Sequence, residues 1–287
     1  MIININIAVK IHCKIYLQPE DFMEKNRKAW DEVVPIHSSH RTGEAQFFKN
    51  GGITLDKIEL GILPELIGKK VAHLCCNSGQ DTLSLANLGA KCVGFDFSES
   101  AIEQAKHLSK ESGIEAEFVK VNVLDIPKQF NGKFDLVYIS KGVLVWLPDA
   151  WKLMRSASRI LVASGKLFIY DQHPFVHLFD SDDHADLRVK FDYFRHNPYE
   201  YKGLDYIGGT VYDASPNYQF MVRLSDIING ICENGMKIDL FREFKHSMFQ
   251  NFPDMIKCQD GLYRFQNDDN GVSIPLMMAI LATRIPE

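Results

Sequence analysis

No pair among the six cysteines has C-x-x-C spacing: Cys75 and Cys76 are adjacent, and the others are isolated. A zinc site built from thiolates needs such pairs, so none is expected, and the cysteines read as reduced thiols of a cytosolic protein. Basic residues are not in excess: 32 Lys and Arg stand against 37 Asp and Glu, a formal charge of −5. Coating nucleic acid requires a basic face, so that role is not expected, although a local basic site stays compatible. No apolar run approaches the roughly 18 residues of a membrane helix. Lys10, His12 and Lys14 interrupt any secretory-signal core near the start. No internal repeat or low-complexity tract occurs.

What is present is ordinary for a globular chain of 287 residues, with 46% hydrophobic and 24% charged residues. That suits one large domain with insertions, or two small ones, around a sizeable core. Residues 3–17 alternate with period two, the pattern of an edge strand; an extension dispensable to the fold, with Met23 as a second possible start, fits as well. From Asp21, residues Trp30, Val33, Val34 and His37 share one helical face, and Pro35 is expected to end that helix early. A loop-like segment follows (38–52), then a short helix within 54–66.

From residue 70 the pattern changes. Strands are expected at 70–74, 91–95, 116–121, 134–139 and 166–170, with helices at 82–88, 100–112 and 150–161 between them. Such alternation implies parallel pairing with right-handed crossovers. Ser98 suits an N-cap, and Gly89 and Gly113 suit helix ends. After Tyr170 the alternation breaks. Short antiparallel strands are expected at 188–194, 205–211 and 219–224, a helix at 225–234, and final strands at 237–244 and 276–284, with an irregular insertion at 246–273.

The stretch CCNSG (75–79) follows the first strand and opens a helix, and Asp96 ends the second strand. In open parallel sheets, ligands bind beyond the carboxyl ends of the strands. The backbone N–H groups of such a bend and the helix N-terminus favour a negative group, and a carboxylate at Asp96 can accept from both ribose hydroxyls. Only Gly79 remains of the glycines such turns often hold. Asn77 tolerates left-handed geometry, and Cys75 is merely small. The missing glycines argue against a pyrophosphate. No tyrosine has a lysine four residues later, as a short-chain dehydrogenase needs. A ligand with a ribose and a carboxylate but no phosphate fits, as S-adenosylmethionine does.

VAHLCCNSGQDTLSLANLGAKCVGFDFSESAIEQA (71–105) resembles the first two motifs of class I S-adenosylmethionine-dependent methyltransferases. FVKVNVLDIP (118–127) is similar to their third motif, FDLVYISKGVLVWLPD (134–149) to their fourth, and RILVASGKLFIYDQHP (159–174) to the approach to their fifth strand. The likeness spans roughly residues 26–285 and is nearest a bacterial subgroup of unassigned substrate. It implies a Rossmann-like α/β fold with a seven-stranded, mostly parallel sheet whose last strand is antiparallel. It also implies that Cys75, Asn77 and Gly79 hold the methionine part, with Asp81 at the start of the helix. Asp96 would bind the ribose, Phe97 would flank the adenine, Asn122 and Val123 would contact its edge, and Ser140 and Gly142 would line the methionine end. His73 stands where the family usually has an acid, and Asn122 where it often has Asp.

The organisation expected is an extension (1–22), a helical cap (23–68), the cofactor-binding core (69–173), a lid (174–218) and the completion of the sheet (219–287). Methyl transfer is an in-line displacement in which positioning carries much of the rate, and a base is needed only if the acceptor loses a proton. His173 is the first candidate base and Asp171 the second. Trp30, His37, His40, Lys141 and Trp146 are candidate substrate contacts; packing or capping is the alternative for the tryptophans and histidines, and Lys141, which could attract an acidic substrate, has a solvated loop lysine as its alternative. HPFVHLFDSDDH (173–184) holds a His pair four apart followed by acids, which is weak grounds for a metal, and none is expected. Where nucleic-acid methyltransferases often carry Asn-Pro-Pro-Tyr, this chain reads SKGV, and it has no Pro-Cys pair. A small-molecule acceptor is therefore expected. An idle protein that binds the cofactor or its demethylated product, or an enzyme acting on protein or tRNA, are the alternatives.

Overall fold

The computed structural model describes residues 19–179, 187–203, 205, 207–210, 212–266 and 273–286. The expected strand at 3–17 lies outside them. The described chain begins with three helices: α1 (Pro19–Ser39), α2 (Glu44–Lys49) and α3 (Lys57–Ile62). Strands and helices then alternate as β1 (Lys70–Leu74), α4 (Gln80–Asn87), β2 (Lys91–Asp96), α5 (Glu99–Ser112), β3 (Glu117–Lys120), β4 (Phe134–Ser140), α6 (Ala150–Ile160) and β5 (Leu161–Gln172). A hairpin of β6 (Tyr199–Lys202) and β7 (Pro216–Gln219) is followed by α7 (Leu224–Glu233) and β8 (Met236–Phe244). A small hairpin of β9 (Met255–Lys257) and β10 (Tyr263–Phe265) precedes β11 (Met277–Arg284).

The main sheet has seven strands in the order β3-β2-β1-β4-β5-β11-β8. β1 pairs in parallel with both β2 and β4, so the strand order reverses between β1 and β4. β11 runs antiparallel to β5 and to β8, which makes it the one reversed strand of the sheet. Apolar side chains alternate to the two faces. Leu74, Phe95, Val137 and Ile139 pack with α6 and α7 on one side. Val71, Leu136, Tyr138 and Tyr170 pack beneath α3 and α4 on the other. Helix ends are set locally: the Ser98 hydroxyl accepts from Ala101 N, and Gly113 closes α5 at φ 72.

Three expectations change. Pro35 does not end α1, which runs on to Ser39. A proline removes only one hydrogen bond from a helix, here the one to the carbonyl four residues back. The last turn is anchored by His37, buried beside Trp30 with ring centroids 6.3 Å apart. Residues 188–194 form no strand beyond a bridge between Phe179 and Val189. Where a strand was expected from 205, Asp205 builds a turn instead: its carboxylate accepts from Ile207 N, Gly208 N and Thr210 N at 3.2, 2.9 and 2.7 Å. An aspartate turn ahead of two glycines overrides the alternating pattern there.

α1 joins this region to the core. Asn26, fully buried, donates to Tyr218 O (2.8 Å) and accepts from Tyr218 N (2.7 Å). Asp31 accepts from the Ser98 hydroxyl at 2.6 Å and from Ser100 N at 3.1 Å.

Candidate active site

A cavity of about 370 Å³ opens at the carboxyl ends of β1 to β4, at the switch point of the sheet. It gathers His73, Cys75, Asn77, Asp81, Asp96 and Phe97 from the first two strand ends. Asn122, Val123, Ser140 and Gly142 come from the next two, and Trp30, Lys141 and Trp146 from the rim.

The bend after β1 takes left-handed geometry three times, at Cys75 (φ 57), Asn77 (φ 47) and Gly79 (φ 83). Asn77 makes this tolerable by bonding locally: its side-chain oxygen accepts from Ser78 N at 2.7 Å and from the Ser78 hydroxyl at 2.9 Å. Gly79 does not line the cavity. A Cβ there would come within 2.9 Å of Ala105 Cβ and of Phe118 Cε1, so its glycine is required by α5 and β3. The bend's own N–H groups are spent. Cys76 N donates to Phe95 O, Asn77 N to Asp96 Oδ2, Ser78 N to Asn77 Oδ1, and Gly79 N to Cys76 O. The expectation that they would receive a negative group is therefore corrected.

Asp96 faces the bend. One carboxylate oxygen accepts from Asn77 N at 2.8 Å and the other from Ser98 N at 3.0 Å. Burial pushes this carboxyl up to about 6 against the pull of these N–H groups. The Phe97 N–H also pulls on it, and Asp96 lines the cavity, where a carboxylate can accept further donors. Asn122 uses its amide oxygen to cap the turn at Leu124 N (3.0 Å).

At the far end a buried polar cluster closes the site. Lys141 Nζ lies 2.8 Å from Asp81 Oδ2 and 3.5 Å from Glu59 Oε2. The Ser140 hydroxyl donates to Asp81 at 3.2 Å, and Tyr138 donates to Glu59. Burial lifts the Glu59 carboxyl to about 7, with Lys141 opposing it, whereas Lys141 and hydrogen bonds keep Asp81 below its usual value despite burial. Lys141 is thus held by two carboxylates and is not a solvated lysine waiting for an acidic substrate. His73 packs on Tyr138 and bonds Thr82 Oγ1 at 2.8 Å, and burial pushes it down to about 4, so it is neutral at pH 7.

Neither candidate base reaches the cavity. Asp171 accepts from the backbone N–H groups of Gly142, Val143 and Leu144, and so positions the loop after β4. His173 is fully buried and caps Phe175 N. Its Nε2 sits 3.0 Å from a Glu243 oxygen, too obliquely for a hydrogen bond. His37 and His40 also lie off the cavity, with Nε2 atoms 3.5 and 3.2 Å from Asp205. Trp30 and Trp146 do meet at the rim, edge to face at 5.2 Å. Among the described residues no group of three or more His, Cys, Asp or Glu could hold a metal; Asp180, Asp182, Asp183 and His184 lie outside them.

Sequence reasoning missed Arg41, Glu44, Met248 and Phe249, all on the lining. Arg41 and Glu44 come from the start of α2 and the turn before it, 3.8 Å apart, and Gln80 reaches Glu44 at 3.3 Å. No local motif marks them, because only the packing of α2 over α4 brings them to the cleft.

Residues 71–165 match the family model described as a methyltransferase domain. The matched segment runs from β1 into β5 and contains both the CCNSG bend and Asp96. A ubiquinone biosynthesis O-methyltransferase from Xanthomonas euvesicatoria is 30% identical over 105 residues, 37% of this chain and 44% of that protein. The chain thus spans about half the length of the curated relatives it matches. Among solved structures, a candidate S-adenosylmethionine dependent methyltransferase from Listeria monocytogenes aligns with TM-score 0.55 at 19% identity, over 79% of this chain and 96% of that one. One from Mesorhizobium loti aligns with TM-score 0.52 at 16% identity, over 78% and 95%. These two likenesses are of methyltransferase fold. No helix among the described residues is long and apolar enough to cross a membrane.

Proposed function

We propose that this protein transfers a methyl group from S-adenosylmethionine to a small-molecule acceptor by in-line displacement. The observation that carries the reading is Asp96: a buried carboxylate braced by Asn77 N and Ser98 N on the wall of the cavity. Two vicinal hydroxyls suit that acceptor pair, and Phe97 with Val123 supplies apolar walls for a purine. Of the lining cations Lys141 is tied to Asp81 and Glu59, which leaves Arg41 for a carboxylate group, and Glu44 with Gln80 suits an ammonium, which replaces the role expected of the bend's N–H groups. When bound, S-adenosylmethionine supplies an electrophilic methyl group on a sulfonium sulfur. The residues here orient it, and Trp30, Trp146 and Leu147 keep water from the reacting end. The O-methyltransferase relatives favour an oxygen acceptor.

Calorimetry with S-adenosylhomocysteine tests the binding, and transfer of labelled methyl into a pool of small hydroxylated compounds tests the reaction. Binding that fails, or that survives Asp96→Ala unchanged, overturns the site.

A further inference from the structure

A second cavity of about 500 Å³ lies against the first. The two share Trp30, Lys141, Gly142, Trp146 and Phe249 in their linings. At Gly142, with φ 90, a Cβ would meet no heavy atom within 4 Å, so space is open at this shared wall. Nine of the twenty residues lining the second cavity are Phe, Tyr or Trp, against 11% of the whole chain. Flat apolar surfaces of this kind select a flat ligand, because rings gain offset or edge-to-face contacts beyond their buried area. Among the described lining residues there is no carboxylate, so none of them offers a counter-ion to a cationic amine.

Resting on the function proposed above, we infer that this chamber is the acceptor site, that its acceptor is a hydroxylated aromatic compound, and that His177 is the catalytic base. His177 is half-buried on the chamber wall, at the end of the 3-10 turn Pro174–Leu178. The other ionisable groups of the wall are poorer candidates. Lys141 is tied to Asp81 and Glu59, the Lys190 ammonium lies over the Phe191 ring at 5.4 Å, the Tyr199 hydroxyl accepts from Asp192 N, and Tyr201 is an exposed phenol. Burial, with His173 beside it, pushes the His177 imidazole down to about 4, so it is unprotonated at pH 7. A base this weak suffices for a late proton transfer, since an oxygen already bonding to methyl is far more acidic than the free hydroxyl. Atoms and charge balance. The acceptor's O–CH3 bond forms as the S–CH3 bond breaks, its electron pair stays on sulfur, and the hydroxyl proton ends on His177. The positive charge of the sulfonium is thus exchanged for that of an imidazolium.

The probe is 2-naphthol, with S-adenosylhomocysteine present and its binding confirmed first by calorimetry. Photoexcited 2-naphthol is acidic enough to protonate a weak base, so emission from bound naphtholate reports a base at the hydroxyl. The expected result is binding of 2-naphthol in preference to 2-aminonaphthalene, with naphtholate emission in the wild type. In His177→Leu that emission is lost, while 2-naphthol and S-adenosylhomocysteine still bind. With S-adenosylmethionine, the wild type should release 2-methoxynaphthalene at least 10-fold faster than the variant. A protein that binds S-adenosylhomocysteine but not 2-naphthol, or prefers the amine, overturns the acceptor class and leaves the cofactor reading intact. Naphtholate emission that persists in His177→Leu overturns the base. Failure to bind S-adenosylhomocysteine overturns the underlying reading instead.

Discussion

Replacing Asp96 by asparagine separates what this carboxylate does for the ligand from what it costs the fold. The side chain is only 6% exposed, and burial lifts its carboxyl from 3.8 to about 6. A carboxyl whose folded value lies above its unfolded one takes up a proton more readily when folded. Its contribution to stability is therefore fully present below about pH 4 and is lost as pH rises through about 6. At roughly 1.4 kcal/mol per unit, the buried charge costs about 3 kcal/mol at neutral pH. An asparagine at this position would carry no charge, but its one amide oxygen serves only one of the N–H groups of Asn77 and Ser98. Leaving the other without a partner costs about 1–3 kcal/mol. The two effects nearly cancel, so urea denaturation at neutral pH should find Asp96→Asn within about 2 kcal/mol of wild type. Binding should behave differently. A ribose facing an amide instead of a carboxylate loses about 3 kcal/mol of charge-assisted hydrogen bonding, so calorimetry should show roughly 100-fold weaker binding of S-adenosylhomocysteine. On acidification below about pH 4, wild type should gain about 3 kcal/mol relative to the variant. Unchanged affinity, or a neutral-pH stability loss above about 4 kcal/mol, would refute the reasoning.

The same carboxyl predicts that wild-type affinity for S-adenosylhomocysteine falls as pH drops through about 6, by up to tenfold per unit, and that Asp96→Asn shows no such slope. Lys141→Met leaves Asp81 and Glu59 buried together without a cation, and should cost about 3–5 kcal/mol in chemical denaturation. The loss should shrink in mild acid, where Glu59, already lifted to about 7, takes a proton; a loss below about 1 kcal/mol would mean a solvated lysine. Gly79→Ala combines a left-handed φ with contacts at 2.9 Å to Ala105 and Phe118, and should cost about 2–4 kcal/mol. Gly68→Ala, at φ 72 with open space around it, should cost only about 1–2 kcal/mol, and equal losses would show that crowding plays no part. Arg41→Ala should weaken S-adenosylhomocysteine about 10-fold and leave adenosine unaffected, since only the former has a carboxylate; equal losses for both would remove Arg41 from that role.

The parallel core was legible because local signals agree there. Apolar runs at 70–74, 91–95 and 134–139 are flanked by caps such as Ser98 and Asp149, and each element lies within one short window. β5 shows the limit of that reading. Ala163, Ser164 and Gly165 interrupt its pattern, so periodicity places its start at Lys166. The strand begins instead at Leu161 and carries Ser164 at φ 62 and a register shift opposite Phe134 and Leu136. The helix at 224–233 and the last two sheet strands were legible too, but between Tyr170 and Leu224 the pattern misleads because order comes from distance: Asn26 fixes Tyr218, Glu32 holds Ser215, and Phe220 N bonds Val145 O rather than a neighbouring strand.

The histidines of 173–184 show why the site was half visible. Four residues apart on an α-helix, His173 and His177 would differ by about 40° and share a face, which is what made them look like one constellation. Pro174 instead starts a 3-10 turn through Leu178. His173 is the N-cap of that turn, with extended backbone at φ −68 and ψ 136, so it lies outside the helical register that holds His177. His173 is accordingly driven into the core against Glu243, while His177 emerges on the aromatic chamber beside Gln172 and Val176. The residue type and the neighbourhood were readable in the sequence. Which of the two imidazoles faces the chamber depends on where that turn begins: the ring before Pro174 caps it from an extended residue, and the ring at 177 lies within it, a boundary that a spacing of four residues does not register.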